Sequence, residues 1–211
     1  MQGAIFDIDG TILDSMAVWN DATAKFYKNH GLTLTDEDLK FFQSATLAES
    51  FPYMKEKYNL LKTVDEISKA FEDIILKEYK YNIPIKPGAD IYLKSLKNSG
   101  VKLACATSTK PQFCTPALKR LGIFDLFDAF AYSDEVGVNK TNPDIYLLAA
   151  QRIGVAPCNC TVFEDIEIGI KSAKSAGFKT CAVYDNSNKN HTAQLKKSAD
   201  RYILSWKELI N

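Results

Sequence analysis

The sequence has no excess of charge of either sign and no long hydrophobic run. Lys and Arg together number 26, and Asp and Glu together also number 26, so the overall charge does not favour nucleic acid or an anionic membrane as a partner. The apolar runs are far shorter than the roughly 20 residues of a membrane span. The first residues show no signal-peptide pattern. We therefore expect a cytoplasmic protein that binds neither nucleic acid nor membranes.

Histidine is scarce, and the cysteines show no pairing pattern. His30 and His191 are far apart and belong to no recognisable motif. The five cysteines are an odd number, and Cys158-x-Cys160 has neither zinc-ligand nor thioredoxin-type spacing. These features disfavour a disulfide framework and a cysteine–histidine zinc site. We expect reduced, buried thiols.

The 211 residues suffice for one sizeable α/β domain, or for a core domain with a smaller insertion. From residue 15 to about residue 82 the apolar residues follow helical spacing, and no strand pattern occurs. A single crossover between parallel strands does not need about 65 residues. We therefore predict a core domain of residues 1–14 and 84–211, and an all-helical cap domain of residues 15–83. Within the cap, Thr35 and Asp38 have the spacing of a capping box.

Residues 89–211 alternate between helices and short apolar strands. Single helices separate the strands, which predicts a doubly wound, Rossmann-like parallel sheet with right-handed crossovers. Asn142 and Pro143 are predicted to be the N-cap and first residue of one of these helices. With the first strand, at residues 4–6, the predicted strands are 101–106, 129–132, 161–163, 180–184 and 201–203.

Polar and charged residues follow the carboxyl ends of the predicted strands. Because parallel strands point the same way, these residues converge on one edge of the sheet, where α/β proteins bind ligands. The first strand ends at Asp7 and Asp9, the second at Thr107 and Ser108, the third precedes a loop with Lys140, and the fourth ends at Glu164 and Asp165.

Each residue type in this set has a chemical use. Clustered carboxylates repel one another unless a cation lies among them, and oxygen ligands with open positions suit Mg²⁺. An Asp carboxylate can attack a phosphoryl group and form an aspartyl-phosphate. Lys140 and the Thr107 hydroxyl can bind phosphate oxygens. Asp9 is close enough to Asp7 to donate a proton to the leaving oxygen and to take one from water.

These residues resemble motifs I to IV of the haloacid dehalogenase-like (HAD) hydrolase superfamily. The helical insertion and the 142–177 region resemble the branch that contains β-phosphoglucomutase and phosphoglycolate phosphatase, which carries a four-helix cap. The pattern DxDGT alone is moderately specific for this superfamily, and four motifs in the correct order are strongly specific for it. The motifs stand here as Asp7-Ile8-Asp9-Gly10-Thr11, Thr107, Lys140 and Phe163-Glu164-Asp165.

The resemblance implies Asp7 as the nucleophile and Asp9 as the general acid and base. It implies Mg²⁺ held by Asp7, the Asp9 backbone carbonyl and Asp165, with Glu164 at or beside the metal. It also implies phosphate binding by Thr107 and Lys140. We add Ser108 and Gly10 to the expected phosphate and substrate site.

Three departures from the family pattern bear on function. Asn139 and Thr141 stand where Gly and Pro are usual, which predicts an altered loop shape with Lys140 retained. Residues 42–46 lack the basic residue that many relatives carry there, and Trp19 stands where β-phosphoglucomutases have a His. The last two departures weigh against a mutase. The candidate substrate contacts in the cap are Trp19, Phe42, Gln43 and Thr46.

The sequence therefore predicts a Mg²⁺-dependent phosphatase that hydrolyses a small phosphorylated metabolite, a monoester resembling a sugar phosphate, through an aspartyl-phosphate. A mobile helical cap would close over the site. The alternatives are a phosphosugar mutase and a catalytically weak binding protein with the same fold. We expect a monomer or weak dimer.

Overall fold

The structure, a computed structural model, describes residues 1–42 and 47–210. Its strands are β1 (Gly3–Phe6), β2 (Lys102–Thr107), β3 (Ala129–Tyr132), β4 (Cys160–Glu164), β5 (Lys179–Val183) and β6 (Arg201–Ile203). Its α-helices are α1 (Met16–Asn29), α2 (Asp36–Phe42), α3 (Leu47–Lys57), α4 (Val64–Tyr81), α5 (Ala89–Asn98), α6 (Pro111–Arg120), α7 (Ser133–Val136), α8 (Asp144–Ile153), α9 (Glu167–Ser175) and α10 (Thr192–Ser198). Short 3₁₀ segments lie at Phe124–Leu126, Pro157–Asn159, Asn186–His191 and Trp206–Leu209.

The six strands form one parallel sheet in the order β3-β2-β1-β4-β5-β6. Ile5 in β1 lies opposite Ala104 on one side and Val162 on the other. The predicted doubly wound α/β fold is confirmed. From β1 the chain adds β2 and β3 on one side and then β4, β5 and β6 on the other, so the order of the strands reverses between β1 and β4. Ligands of such folds bind past the carboxyl ends of the strands at this reversal.

The strand β1 is buried on both faces, which explains its unbroken apolar sequence. Ile5 belongs to a core cluster with Ile145 and Tyr146 of α8. Phe6 faces the other way and stacks on Phe163, with ring centroids 4.7 Å apart. Trp206 packs against both of these rings. The residues just after β1 are therefore held by a rigid core on both sides.

Two details differ from the sequence prediction. The helix α8 begins at Asp144, with Pro143 rather than Asn142 as its N-cap, because the Pro143 carbonyl accepts hydrogen bonds from the backbone N–H groups of Tyr146 and Leu147. The short helix α7 after β3 was not predicted. All five cysteines are free thiols, and all except Cys158 are buried.

The chain divides into two compact units, Met1–Met16 with Lys80–Asn211, and Ala17–Tyr79. The second unit is helical in its described part. Ile67, Phe71, Ile75 and Tyr79 form a buried stripe along α4, with the spacing of an amphipathic helix. The sequence placed the boundaries of the helical insertion at residues 15 and 83.

The predicted capping box at the start of α2 is present. The Thr35 N–H donates to Asp38 Oδ2 over 2.8 Å, and the Asp38 N–H donates to Thr35 Oγ1 over 3.3 Å. Gln43 and Thr46, two of the candidate substrate contacts, lie outside the described residues. Of the helices in residues 1–42 and 47–210, none has the length and apolarity needed to cross a bilayer.

Candidate active site

Three buried carboxylates meet at the reversal point of the sheet. Asp7 directly follows β1, Glu164 is the last residue of β4, and Asp165 follows it. The Asp7 N–H donates to the Phe163 carbonyl over 3.0 Å and so extends the pairing of β1 with β4. One carboxylate oxygen from each of the three residues lies within 4.8 Å of the others. The sequence predicted that the strand ends would bring acidic side chains together, and the structure places Asp7, Glu164 and Asp165 side by side here.

Lys140 places one ammonium group among these carboxylates. It is buried, and its Nζ donates to Asp7 Oδ1 and to Glu164 Oε1. Its loop is shaped by the two departures from the family pattern. The Asn139 side-chain oxygen accepts hydrogen bonds from Thr141 N, over 3.0 Å, and from Thr141 Oγ1, over 2.5 Å. This local turn, which Asn side chains favour, presents Lys140 without the usual Gly and Pro.

Glu164 is held by protein groups on both of its oxygens. Besides Lys140, its Oε1 accepts a hydrogen bond from the Tyr146 hydroxyl over 2.9 Å, and its Oε2 accepts one from the Asp165 N–H over 3.0 Å. A Cβ at Gly169 would come within 2.8 Å of Glu164 Oε1. Glu164 therefore fixes Lys140 in place. Tyr146 was not predicted as a site residue, although a buried Tyr hydroxyl usually requires such a partner.

The three carboxylates carry more negative charge than Lys140 neutralises. Burial, and next the charge of Glu164, raise the pKa of Asp7 from 3.8 to about 7, although Lys140 opposes this. Burial and the charges of Glu164 and Asp7 also raise the pKa of Asp165. Burial alone would lower the pKa of Lys140, but the charges of Asp7 and Glu164 outweigh it and raise that pKa.

This donor set fits a hard divalent cation. It offers oxygen ligands only, it is buried, and its excess charge is what such an ion would neutralise. Asp165 accepts a hydrogen bond from a neutral donor on each oxygen: the Thr11 hydroxyl lies 3.3 Å from Oδ1, and the Asn188 amide nitrogen lies 2.7 Å from Oδ2. Its neutral donors leave its charge available to a cation.

Asp9 lies in the loop after β1 and has a different environment. Its Oδ1 accepts a hydrogen bond from the Ser15 hydroxyl over 2.6 Å, and its Oδ2 accepts one from the Thr109 hydroxyl over 2.5 Å. The loop is tight, because the N–H groups of Ile12 and Leu13 both donate to the Ile8 carbonyl. Two hydroxyls therefore orient this carboxylate.

Gly10 lies directly against the carboxylate cluster. Its φ angle is 76°, a value that favours glycine, and a Cβ there would lie 2.5 Å from Asp165 Oδ2. Any side chain at this position would displace Asp165. The structure thus gives Gly10 a steric reason to be glycine, and its role toward substrate stays a prediction.

The residues after β2 divide into two groups. Thr107 is buried, and its hydroxyl accepts a hydrogen bond from the Thr109 N–H over 3.0 Å. Ser108 is exposed, and its hydroxyl lies 2.8 Å from that of Ser133. Of the three residues Thr107, Ser108 and Thr109, it is Thr109 that donates a hydrogen bond to Asp9. Phosphate binding by Thr107 and Ser108 stays a prediction.

Two further residues support the site from distant parts of the sequence. The Asn188 side chain donates to Asp165, and the Trp206 indole N–H donates to the Thr11 carbonyl over 3.0 Å. Both contacts bridge large separations along the chain, so no local sequence pattern signals them.

The chain is similar to several known proteins. The family model described as haloacid dehalogenase-like hydrolase matches residues 4–183. A Bacillus subtilis protein provisionally named phosphatase YhcW is 31% identical over 187 residues, which cover 88% of this chain and 84% of the relative. The phosphorylated carbohydrates phosphatase of Thermotoga maritima is 28% identical over 179 residues, covering 85% of this chain and 83% of the relative.

A solved structure from Thermotoga maritima, provisionally named β-phosphoglucomutase, aligns with a TM-score of 0.86 and 27% sequence identity. The alignment covers 100% of this chain and 97% of the other. These matches confirm the predicted family branch, and the relatives' names support the predicted phosphatase class. The match to the family model extends over most of the sequence and includes Asp7, Lys140, Glu164 and Asp165, so the chain belongs to the haloacid dehalogenase-like hydrolases.

Proposed function

We propose that this protein is a Mg²⁺-dependent phosphatase that hydrolyses a small phosphorylated metabolite, a monoester resembling a sugar phosphate. The observation that carries the proposal is the buried cluster in which Asp7 shares Lys140 with Glu164 and lies beside Asp165. The Thermotoga maritima relative named for phosphorylated carbohydrates supports the substrate class.

In the first half-reaction, an oxygen of Asp7 attacks the phosphorus atom of the substrate. The new bond joins that oxygen to phosphorus while the ester P–O bond breaks, and Asp9 gives its proton to the departing alkoxide oxygen. Lys140 offsets the negative charge of the incoming phosphate, and the Thr107 hydroxyl, with Ser108 and the Gly10 backbone, binds its other oxygens. A bound Mg²⁺, held by Asp7, Asp165 and the Asp9 carbonyl, would supply further positive charge.

In the second half-reaction, water attacks the phosphorus of phospho-Asp7. Asp9, now ionised, accepts the proton of that water, and the bond between phosphorus and Asp7 breaks to release inorganic phosphate. The hydroxyls of Ser15 and Thr109 hold the Asp9 carboxylate in a fixed orientation for both transfers. One residue can serve as acid and then as base because each step restores the form that the next step requires.

The remaining predictions belong to the same proposal. Residues 15–83 form the cap domain, residues 1–14 and 84–211 form the catalytic core, and the protein acts in the cytoplasm. A mutase is the less favoured alternative, since Trp19 replaces the histidine of β-phosphoglucomutases. In the helical unit the Trp19 ring packs edge-on against Tyr79.

The test is phosphate release from p-nitrophenyl phosphate with and without Mg²⁺. We expect Mg²⁺-dependent turnover, and a loss of roughly 10⁴-fold or more in kcat in Asp7→Asn. The exposed Asp125 provides the matched control, because Asp125→Asn makes the same change away from the cluster. Full activity in Asp7→Asn would overturn the nucleophile assignment, and absence of turnover from all phosphate esters tested would favour a binding protein.

A panel of phosphorylated sugars and alditols then identifies the substrate class. Steady turnover without any bisphosphate supports a phosphatase. Turnover of a hexose phosphate only after a hexose bisphosphate is added, with an isomeric hexose phosphate as the product, would identify a phosphosugar mutase instead.

A further inference from the structure

Asn188 lies in the 3₁₀ segment that follows β5 and reaches across to Asp165. Its Nδ2 donates to Asp165 Oδ2 over 2.7 Å and to the Asp165 carbonyl over 3.2 Å. Both partners are acceptors, so the amide nitrogen rather than the amide oxygen must face Asp165. The side chain therefore fixes both the backbone and the carboxylate of one residue.

The segment that carries Asn188 is itself anchored. The Asn188 N–H donates to the Asp185 carbonyl over 3.1 Å, and Asp185 Oδ1 accepts hydrogen bonds from Ser187 N and Oγ over 2.9 and 2.6 Å. Asp185 Oδ2 lies 2.8 Å from Lys86 Nζ, and both of these side chains are largely buried. The segment that carries Asn188 is thus anchored through Asp185 to an ion pair outside the carboxylate cluster.

Two further neutral groups also restrict the Asp165 carboxylate. The Thr11 hydroxyl donates to Oδ1 over 3.3 Å. The Gly10 backbone lies so close to Oδ2 that a Cβ on residue 10 would clash with it. Asn188 is a neutral donor, so it orients the carboxylate but leaves its full negative charge for a cation. A Lys in the same place would neutralise that charge.

We propose that Asn188 is a positioning residue, which holds the Asp165 carboxylate in the orientation required to bind the divalent cation and is itself held by the Lys86–Asp185 ion pair. This inference rests on the proposed function, in which Asp165 is a metal ligand. Groups that orient metal ligands typically contribute 10–100-fold to metal affinity.

The experiment measures Mg²⁺ binding to the metal-free protein by isothermal titration calorimetry. Asn188→Ala removes the amide, and Asn188→Leu removes it while keeping a side chain of similar size, so the test does not depend on the Ala variant alone. The exposed Asn190, two residues further on, supplies the matched control Asn190→Ala. Circular dichroism and thermal unfolding in EDTA show that each variant is folded.

We expect the Mg²⁺ dissociation constant to rise about 10–100-fold in both Asn188 variants and to change less than about twofold in Asn190→Ala. The Mg²⁺ concentration for half-maximal hydrolysis of p-nitrophenyl phosphate should rise in parallel, with kcat at saturating Mg²⁺ largely recovered. A purely structural role would lower the unfolding temperature in EDTA without changing the Mg²⁺ affinity.

Two negative results have different meanings. If the wild-type protein binds Mg²⁺ and both Asn188 variants bind it equally well, the positioning role is wrong and the proposed function stands. If the wild-type protein neither binds Mg²⁺ nor releases phosphate, the proposed function and this inference are both wrong.

Discussion

Asp38 in the helical unit and Asp7 in the α/β unit are both buried carboxylates, but their surroundings differ. Asp38 Oδ1 accepts hydrogen bonds from the Tyr53 hydroxyl at 2.9 Å and Lys57 Nζ at 2.8 Å. Its Oδ2 accepts others from Thr35 N at 2.8 Å and the Tyr58 hydroxyl at 2.5 Å. Burial alone would raise the pKa of Asp38, but the bonds from Lys57, Tyr58 and Thr35 outweigh it and lower that pKa.

Asp7 instead shares one ammonium group with Glu164 and lies close to Asp165, so its pKa is raised. The difference shows two uses of a buried acid. Donors on both oxygens of Asp38 keep it ionised and stabilise the fold. Crowding of the acids near Asp7 opposes folding but creates a site for positive charge. Four predictions test this contrast.

The largest effect is expected from Asp38→Asn. An Asn side chain cannot accept hydrogen bonds from all these donors, and it loses the charge that strengthens them, so the free energy of unfolding should fall by about 3 kcal/mol. Urea denaturation followed by circular dichroism measures this. Asp36→Asn, an exposed acid in the same first turn of α2, should cost less than about 1 kcal/mol. Equal losses in the two variants would show that the buried hydrogen bonds of Asp38 add no more to the free energy of unfolding than an exposed acid in the same turn.

Added Mg²⁺ should bind the cluster of Asp7, Glu164 and Asp165 and raise the free energy of unfolding by almost as much as Asp38→Asn lowers it. At 100 times its dissociation constant, an ion that binds only the folded state raises the free energy of unfolding by about 2.7 kcal/mol. Thermal and urea unfolding with and without Mg²⁺ measure this gain. Asp38→Asn should retain the gain and Asp165→Asn should lose most of it. The same gain in Asp165→Asn would place the ion elsewhere.

The two acids should give opposite pH dependence in metal-free protein. The pKa of Asp7 is raised to about 7, so the folded state holds more protons than the unfolded state between about pH 4 and pH 7. Stability should therefore fall as pH rises through this range, by at most about 1.4 kcal/mol per pH unit for each group. The pKa of Asp38 is lowered, so its contribution is present above about pH 4 and is lost as pH falls further.

Unfolding free energies between pH 3 and pH 8 in EDTA measure both trends. Asp7→Asn should flatten the decline between pH 4 and pH 7, and Asp38→Asn should reduce the loss below pH 4. If the Asp7→Asn curve keeps the wild-type slope above pH 4, charge crowding at Asp7 does not cause the decline in stability.

The smallest effect concerns Asp9, whose carboxylate is oriented by neutral hydroxyls. Thr109→Val removes one of them and keeps the shape, so kcat should fall about tenfold, the value of one hydrogen bond to a charged group. The KM should change little, because the Thr109 hydroxyl acts on Asp9. Thr109→Ser should restore most of the loss. A Ser variant as impaired as the Val variant would show that the methyl group, not the hydroxyl, matters.

Sequence reasoning predicted the features that depend on local pattern. Each apolar strand stops where its polar residues begin, so Asp7, Thr107 and Glu164 could be placed at one edge of the sheet. Lys140 could be placed at the same edge because its loop follows the third predicted strand and precedes the helix that begins near Asn142 and Pro143. The Thr35–Asp38 capping box could be predicted because both partners lie within one turn.

The other contacts could not be predicted, because they depend on packing between distant segments. Ser108 and Thr109 are adjacent hydroxyls, and only the direction of the chain after β2 decides which one reaches Asp9. Asn186, Asn188 and Asn190 alternate through one segment, and nothing in the sequence distinguishes the residue that contacts Asp165. Tyr53 and Tyr58 meet Asp38 only when α3 packs on α2.

The hydrogen bond from the Trp206 indole to the Thr11 carbonyl spans 195 positions of sequence, and it bears on the order of events during synthesis. The strand β1 is synthesised before its neighbours β2 and β4, which begin at Lys102 and Cys160. Contacts over such separations form late. Asp7 is therefore synthesised well before β4 and Trp206, so its surroundings can be completed only after those later segments are available.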